Sequence, residues 1–308
     1  MSAIAGWAAI PGLVAALAAG IALVAVLDAA VARAVAGPIG AGGWLAAPWR
    51  RAAVVLLQQR ITTERPDAQA WALAPALLLG LGAAMLTVVP VSSGRAVADI
   101  PHGIVLFGAA AALLLIPVFL QGWSPNSPFA LVGGYRMFAQ GLSSMIPFAL
   151  VLIGTALPAE SLGVGDIVVS QRGLWNVVRT PLGLPVYLVT VLGVVFWGPL
   201  ATPSGADLGG GIDLEASGVQ LLAWRVGQAG VLVGTAAVGA SVFLGGWYGP
   251  LLPGPVWLAV KTAALLVVLV AAAHVVPRVR VERYVVLAWV VLLPLALLDV
   301  FLTGGWLL

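Results

Sequence analysis

Three side chains charged at neutral pH stand inside long apolar stretches: Asp28, Lys261 and Asp299. A charge at the centre of a bilayer costs on the order of 2.5–3.5 kcal/mol even on insertion scales, so such groups pair, neutralise or carry function. Asp28 has Arg33 about one turn further on, which admits two readings: a helix-end ion pair or a working carboxylate. Lys261 follows the Pro253-Gly254-Pro255 turn closely, and its long stem suits snorkelling to an interface as well as a buried role. Asp299 falls roughly mid-way through the last apolar stretch, where a lone carboxyl is either hydrogen-bonded or carries a proton. Two polar groupings lie outside the apolar stretches. Pro203–Gly218 gathers Asp207, Asp213 and Glu215 around Gly209–Gly211, and the segment after Pro277 carries Arg278, Arg280 and Glu282. Other chemistry is excluded: without cysteine there are no disulfides, iron–sulfur ligands or thiolate zinc sites. His102 and His274 lack companions at ligand spacing, so no metal site is expected.

The elements that position these groups must live in lipid. Of 308 residues, 62% are hydrophobic and 8% charged, against roughly a quarter charged in soluble domains. Spanning a bilayer takes about 20 apolar residues, and such stretches fall near Trp7–Ala32, Trp71–Val91, Gly103–Trp123, Met137–Leu157, Leu182–Ala201, Gly227–Trp247, Val256–Val276 and Val285–Leu308. The sixth has an alternative start near Val219. Continuous runs such as Ala109–Leu115 argue against a membrane β-barrel, whose segments alternate. Met1–Val26 has no basic start and an apolar stretch long enough to span, so no cleavable signal peptide is expected. The expected fold is an all-α integral membrane bundle of about eight transmembrane helices, a single domain over residues 1–308.

Arginine placement gives an orientation. Arg33, Arg50, Arg51, Arg60, Arg65, Arg136, Arg225, Arg278, Arg280 and Arg283 belong to the odd-numbered loops and their flanks, and only Arg95, Arg172 and Arg179 to the even ones. Positive charge favours the cytoplasmic side, which puts the odd loops inside and both termini outside. The first loop, residues 34–70, contains Trp49–Ile61, an apolar cluster between basic ends that reads as a short helix in the interface plane or as a plain connector. The loop over 203–218 is acidic against the usual bias, which calls for a partner or a task. Trp7, Trp44, Trp49, Trp71, Trp123, Trp247 and Trp306 stand mostly at span ends, as an interfacial belt does. The scattered bases give no nucleic-acid footprint.

Several segments, in order, resemble the H subunit of bacterial NADH:quinone oxidoreductase, the membrane subunit 1 of respiratory complex I, with relatives in energy-converting hydrogenases. Gly122–Ser144, GWSPNSPFALVGGYRMFAQGLSS, is the most specific; Gly122, Trp123, Asn126, Ser127, Ala130, Leu131, Gly133, Arg136, Ala139, Gln140 and Ser143 all match the family pattern. Phe243–Leu266 is similar to the family's Gly-Gly-Trp and Pro-Gly stretch, with Lys261 at its lysine. Pro277–Asp299 resembles the "PR-x-R-x-D … L-L-P-L" stretch. Weaker matches are Gly37–Pro38, Ala46–Pro48, Gly165–Gln171 and Leu214–Gly218.

The resemblance implies a tilted eight-helix bundle between a soluble iron–sulfur arm and antiporter-like membrane subunits, in the plasma membrane. It implies quinone as substrate, no cofactor bound by this chain, and coupling of quinone reduction to proton translocation. On this reading Asp28, Arg136, Asp207, Asp213, Glu215 and Asp299 are candidates for the quinone site or coupling. Arg136 would hold a carboxylate or face a quinone head group. Arg278, Arg280 and Glu282 would dock the arm, although the two arginines fit lipid phosphates equally. No residue is expected to be catalytic by itself.

The chain departs from the family where protons should move. Met145 stands where a glutamate is usual in the fourth span. Val194, Val195, Phe196, Trp197, Gly198 and Pro199 replace Glu-Thr-Asn-Arg-Ala-Pro, and Arg51 replaces an aspartate. Phe196 and Trp197 either line a channel for a quinone tail or fill it. A divergent complex, in which the subunit anchors a hydrogenase-like arm without an acidic relay, is therefore the second reading. A stand-alone transporter is the third; the sequence shows neither internal duplication nor broken midplane helices.

Overall fold

The computed structural model describes residues 9–37, 43–59, 62–93, 96–205 and 210–307. Backbone groups in hydrocarbon find no water, so long uncharged stretches satisfy themselves as helices. Thirteen α-helices form among the described residues, and no β-strand. They are α1 (Ile10–Ala36), α2 (Ala47–Leu57), α3 (Ala68–Thr87), α4 (Gly103–Leu113), α5 (Leu115–Trp123), α6 (Pro128–Ala156) and α7 (Val164–Ser170). They continue with α8 (Asn176–Arg179), α9 (Gly183–Val194), α10 (Gly218–Phe243), α11 (Gly254–Val275), α12 (Val281–Leu287) and α13 (Leu293–Leu307). Among the described residues seven helical stretches are long and apolar enough to cross a membrane: α1, α3, α4 with α5, α6, α10, α11, and α12 with α13.

The expected fifth span is only partly helical. Its helix, α9, has 12 residues, about 18 Å at 1.5 Å per residue, against a hydrocarbon core near 30 Å. The described residues therefore hold seven helical stretches long enough to span and one part-span, whose break the apolar sequence concealed. Prolines shape two other spans. Pro117 has no N–H to donate to the turn before it, and the third span is interrupted at Leu114, whose N–H bonds Ala111 O at 3.2 Å. Ahead of Pro294 the last span widens into a π turn over Ala288–Leu292, a usual way to absorb such a defect. Two starts also differ from expectation: α6 begins at Pro128, well before Met137, and α10 at Gly218, close to the alternative start.

Helix α10 is the axis of the bundle, with every residue from Gly227 to Phe243 buried. Its glycines let α3 approach at backbone distance. A Cβ on Gly82 would sit 2.7 Å from both Gly230 C and Val231 N, and one on Gly234 2.8 Å from Met85 Cβ. Apolar association gains little in lipid, so close packing of small residues supplies the cohesion. Helix α1 lies at the periphery and is the least buried span. The tryptophans divide: Trp44, Trp49, Trp123 and Trp306 face outward, whereas Trp71 and Trp247 are core residues at 4% and 9% exposure. Trp7 lies outside the described residues.

Loop contacts sort the molecule into two ends. Asp67 N bonds Ser124 O at 2.8 Å, Val279 N bonds Pro199 O at 2.9 Å, and Val55 of α2 packs against Ala216 and Leu221. These join the odd-numbered loops. At the other end Ile104 N bonds Leu162 O at 3.0 Å, and Gln171 Nε2 donates to Ser241 O at 2.9 Å, which joins the even ones. Helix α2 occupies the position expected of the interfacial helix, with Trp49, Val54 and Leu57 turned outward and Val55 inward. Arg60 and Ile61, at its expected end, lie outside the described residues.

Candidate functional site

The break after α9 is held by two buried glutamines. Phe196 takes a left-handed φ of 45° and ends the helix, leaving carbonyls that need donors inside the membrane. From α6, Gln140 Nε2 donates to Gly193 O at 2.7 Å and Leu200 O at 2.8 Å, while its Oε1 accepts from Thr202 Oγ1 at 2.7 Å. From α10, Gln228 Nε2 donates to Phe196 O at 3.1 Å. Phe196 itself is 1% exposed and stacks on Trp224, ring centroids 5.9 Å apart. At this position the aromatic pair fills space rather than lining it. Met145 is likewise packed against the core.

Next to the break, the acidic loop is pinned to the start of α6. Ser127 leaves the helix N-terminus uncapped and donates instead to Glu215 Oε1 at 2.7 Å. Arg136 Nη1 donates to Gly210 O at 2.6 Å, so it grips the loop through its backbone. A side chain at Gly133 would run into Pro203 O and Ile212 N, and Ile212 is fully buried beside it. The residues that carry the family resemblance thus form the seat of this loop. Burial pushes the Asp213 carboxyl up to about 6, moderated by the Arg225 guanidinium and by Ser204 and Trp224, which face it. Its Oδ1 is wholly shielded. Asp207 lies outside the described residues.

Asp28 does not have Arg33 as the partner expected from spacing. Its Oδ2 lies 3.2 Å from Arg51 Nη1 on α2, and its Oδ1 is 2.8 Å from His274 Nε2 on α11. The arginine that stands in place of an acid thus meets the acid that remains. Sequence reasoning missed His274 because its partner is 246 residues away. The cluster ties α1, α2 and α11 together at the odd-loop end. Arg278, Arg280 and Glu282 lie together on the exposed surface of the same end, Glu282 in the first turn of α12.

Two candidates lie at the opposite end. Lys261 does not snorkel: at 5% exposure it donates to Gly246 O at 3.1 Å and Tyr248 O at 2.6 Å, with the Trp175 ring 4.2 Å from Nζ. Asp299 lies toward the even-loop end, beside the start of α9. It is 1% exposed, and its Oδ1 accepts from Leu182 N, at the start of α9, at 3.2 Å. The structure therefore brings Arg136, Asp213 and Glu215 together, places Asp28 in a cluster of its own, and separates Asp299 from them all.

A peripheral first helix, a buried axial helix, a part-span with glutamine caps and a seated acidic loop define a multi-pass membrane subunit. The chain belongs to the family of the NADH-quinone oxidoreductase H subunit, whose family model, described as NADH dehydrogenase, matches residues 9–304. It is 32% identical over 269 residues to the second NADH-quinone oxidoreductase H subunit of Rhodopseudomonas palustris, covering 87% of this chain and 83% of that one. It is 33% identical over 270 residues to the second H subunit of Cereibacter sphaeroides, covering 87% and 84%. A further similar protein is the first H subunit of another R. palustris strain, 32% identical over 269 residues.

Proposed function

We propose that this chain is the membrane-arm subunit of a complex I type NADH:quinone oxidoreductase, which helps form the quinone site and couples quinone reduction to proton translocation. The observation that carries the reading is the acidic loop seated on α6 by Ser127–Glu215 and Arg136–Gly210. A carboxyl with its pKa moved toward neutrality, held at a fixed position near a helix break, is a common arrangement for proton exchange. The odd-loop end would face the cytoplasm, with Arg278, Arg280 and Glu282 meeting the soluble iron–sulfur arm. Antiporter-like subunits would pack beside the bundle in the plasma membrane. Quinone would be a substrate, and electrons would come from the docked arm rather than from a cofactor of this chain.

The test is the double substitution D213N/E215Q in the assembled complex. Both amides keep the shape of the acids they replace, and the amide at position 215 still offers Ser127 a carbonyl, so assembly on a native gel should be unchanged. Inhibitor-sensitive quinone reduction should fall at least tenfold. Normal turnover would remove the loop from the reaction.

The second reading, an anchor of a divergent hydrogenase-like complex, is favoured by the Phe196–Trp224 stack and by Met145, which put apolar bulk where a relay would run. An intact wild-type assembly without inhibitor-sensitive quinone turnover would establish it over the first.

A further inference from the structure

Asp299 takes no part in the loop chemistry, yet among the described residues it is the only acidic residue that is buried rather than partly exposed. Its Oδ1 accepts from Leu182 N, and the Gly183 N–H also faces the carboxyl; its Oδ2 is shielded from solvent. Burial and backbone N–H groups act on it, and no charged side chain does. Gly154 faces it from α6, Gly183 from α9 and Phe243 from α10, with the Thr180 hydroxyl beside Gly183. On its own helix, the Thr303 hydroxyl is spent on Asp299's main-chain O at 2.7 Å. The fold makes room for the carboxyl: a Cβ on Gly183 would lie 2.9 Å from Oδ2 and 3.1 Å from Thr180 Oγ1. Backbone N–H groups at a helix start offset part of a negative charge, but a carboxyl oxygen shielded from solvent remains costly to ionise.

A second orphaned atom lies in the same neighbourhood. Thr180 Oγ1 donates to Asn176 O at 2.8 Å, and the buried Asn176 Oδ1 has no donor of its own. Shielded acceptors of Asp299 and Asn176 thus lie at the same end of the bundle, near the even loop that carries α7 and α8. Acceptors left open in this way are satisfied by a proton or by a bridging water.

We propose that Asp299 is a proton-binding site, which takes up and releases one proton at Oδ2 at the even-loop end. Only a proton moves: the O–H bond at Oδ2 forms with a proton from water and breaks by returning it, without electron transfer. The proton-translocating part of this statement rests on the proposed function; proton binding at Asp299 does not.

Membranes holding the assembled complex are treated with dicyclohexylcarbodiimide, which attacks protonated carboxyls in apolar surroundings, and the peptides are read by mass spectrometry. An adduct on Asp299 that declines as pH rises is expected, and absence of the adduct overturns the proposal. In the same complex D299N keeps the acceptor for Leu182 N. It is expected to assemble and to lose part of the protons moved per electron. An unchanged proton ratio overturns the part in translocation, and failed assembly shows a structural group instead. If the wild type reduces no quinone, the proposed function fails while the adduct still decides the proton site.

Discussion

At the scale of single residues, burial decides what a carboxyl does, and burial follows from contacts that spacing does not encode. A free aspartate ionises near pH 3.9, whereas Asp213 in the folded loop holds its proton to about pH 6. Between those values the fold binds more protons than the unfolded chain, so loop stability falls as pH rises through that window and levels off above it. If the ionised form serves turnover, quinone reduction should rise with pH around 6; in D213N the profile should be flat there, as initial rates across the pH range will show. Asp28 illustrates the converse. Its acid was readable in the sequence, but its partners His274 and Arg51 meet it only through the packing of α11 and α2 on α1. Both side chains in the His274 pair are partly exposed, so H274A should cost only about 0.2–1 kcal/mol. The cost should register as a small drop in the melting temperature of purified complex, with assembly retained.

At the scale of elements, seven spans were legible because length and apolarity suffice to identify a membrane helix. The termination of α9 was not. Val194–Trp197 is as apolar as the helix it ends, and the signal for the break sits on other elements, in Gln140 and Gln228. Gln140 belongs to the segment that carried the family resemblance, and the structure gives that match a physical basis in donors supplied to Gly193 O and Leu200 O. Q140L strips both carbonyls of a partner. At about 1–3 kcal/mol for each buried unsatisfied group, it should destabilise the subunit by about 2–6 kcal/mol, measured as a lower unfolding temperature in detergent and reduced subunit levels in membranes.

At the scale of the whole molecule, the absence of cysteine from the sequence offers a direct test of sidedness. Q59C on an odd loop should react with an impermeant maleimide only when the cytoplasmic face is exposed, as in inverted vesicles, and R172C on an even loop only in right-side-out ones; the reverse pattern would invert the orientation. The sequence by itself determined the solvent, the spans and the family, because each is written in composition or contiguous motifs. Tertiary structure alone decided which ionisable groups are buried, which are paired and which end each occupies. It seated the acidic loop on α6, caged Lys261 between carbonyls and indoles, and moved Asp299 away from the other acids. The physical reason is that hydrophobic length acts locally along the chain, whereas desolvation and hydrogen-bond partnership belong to atoms brought together from distant helices.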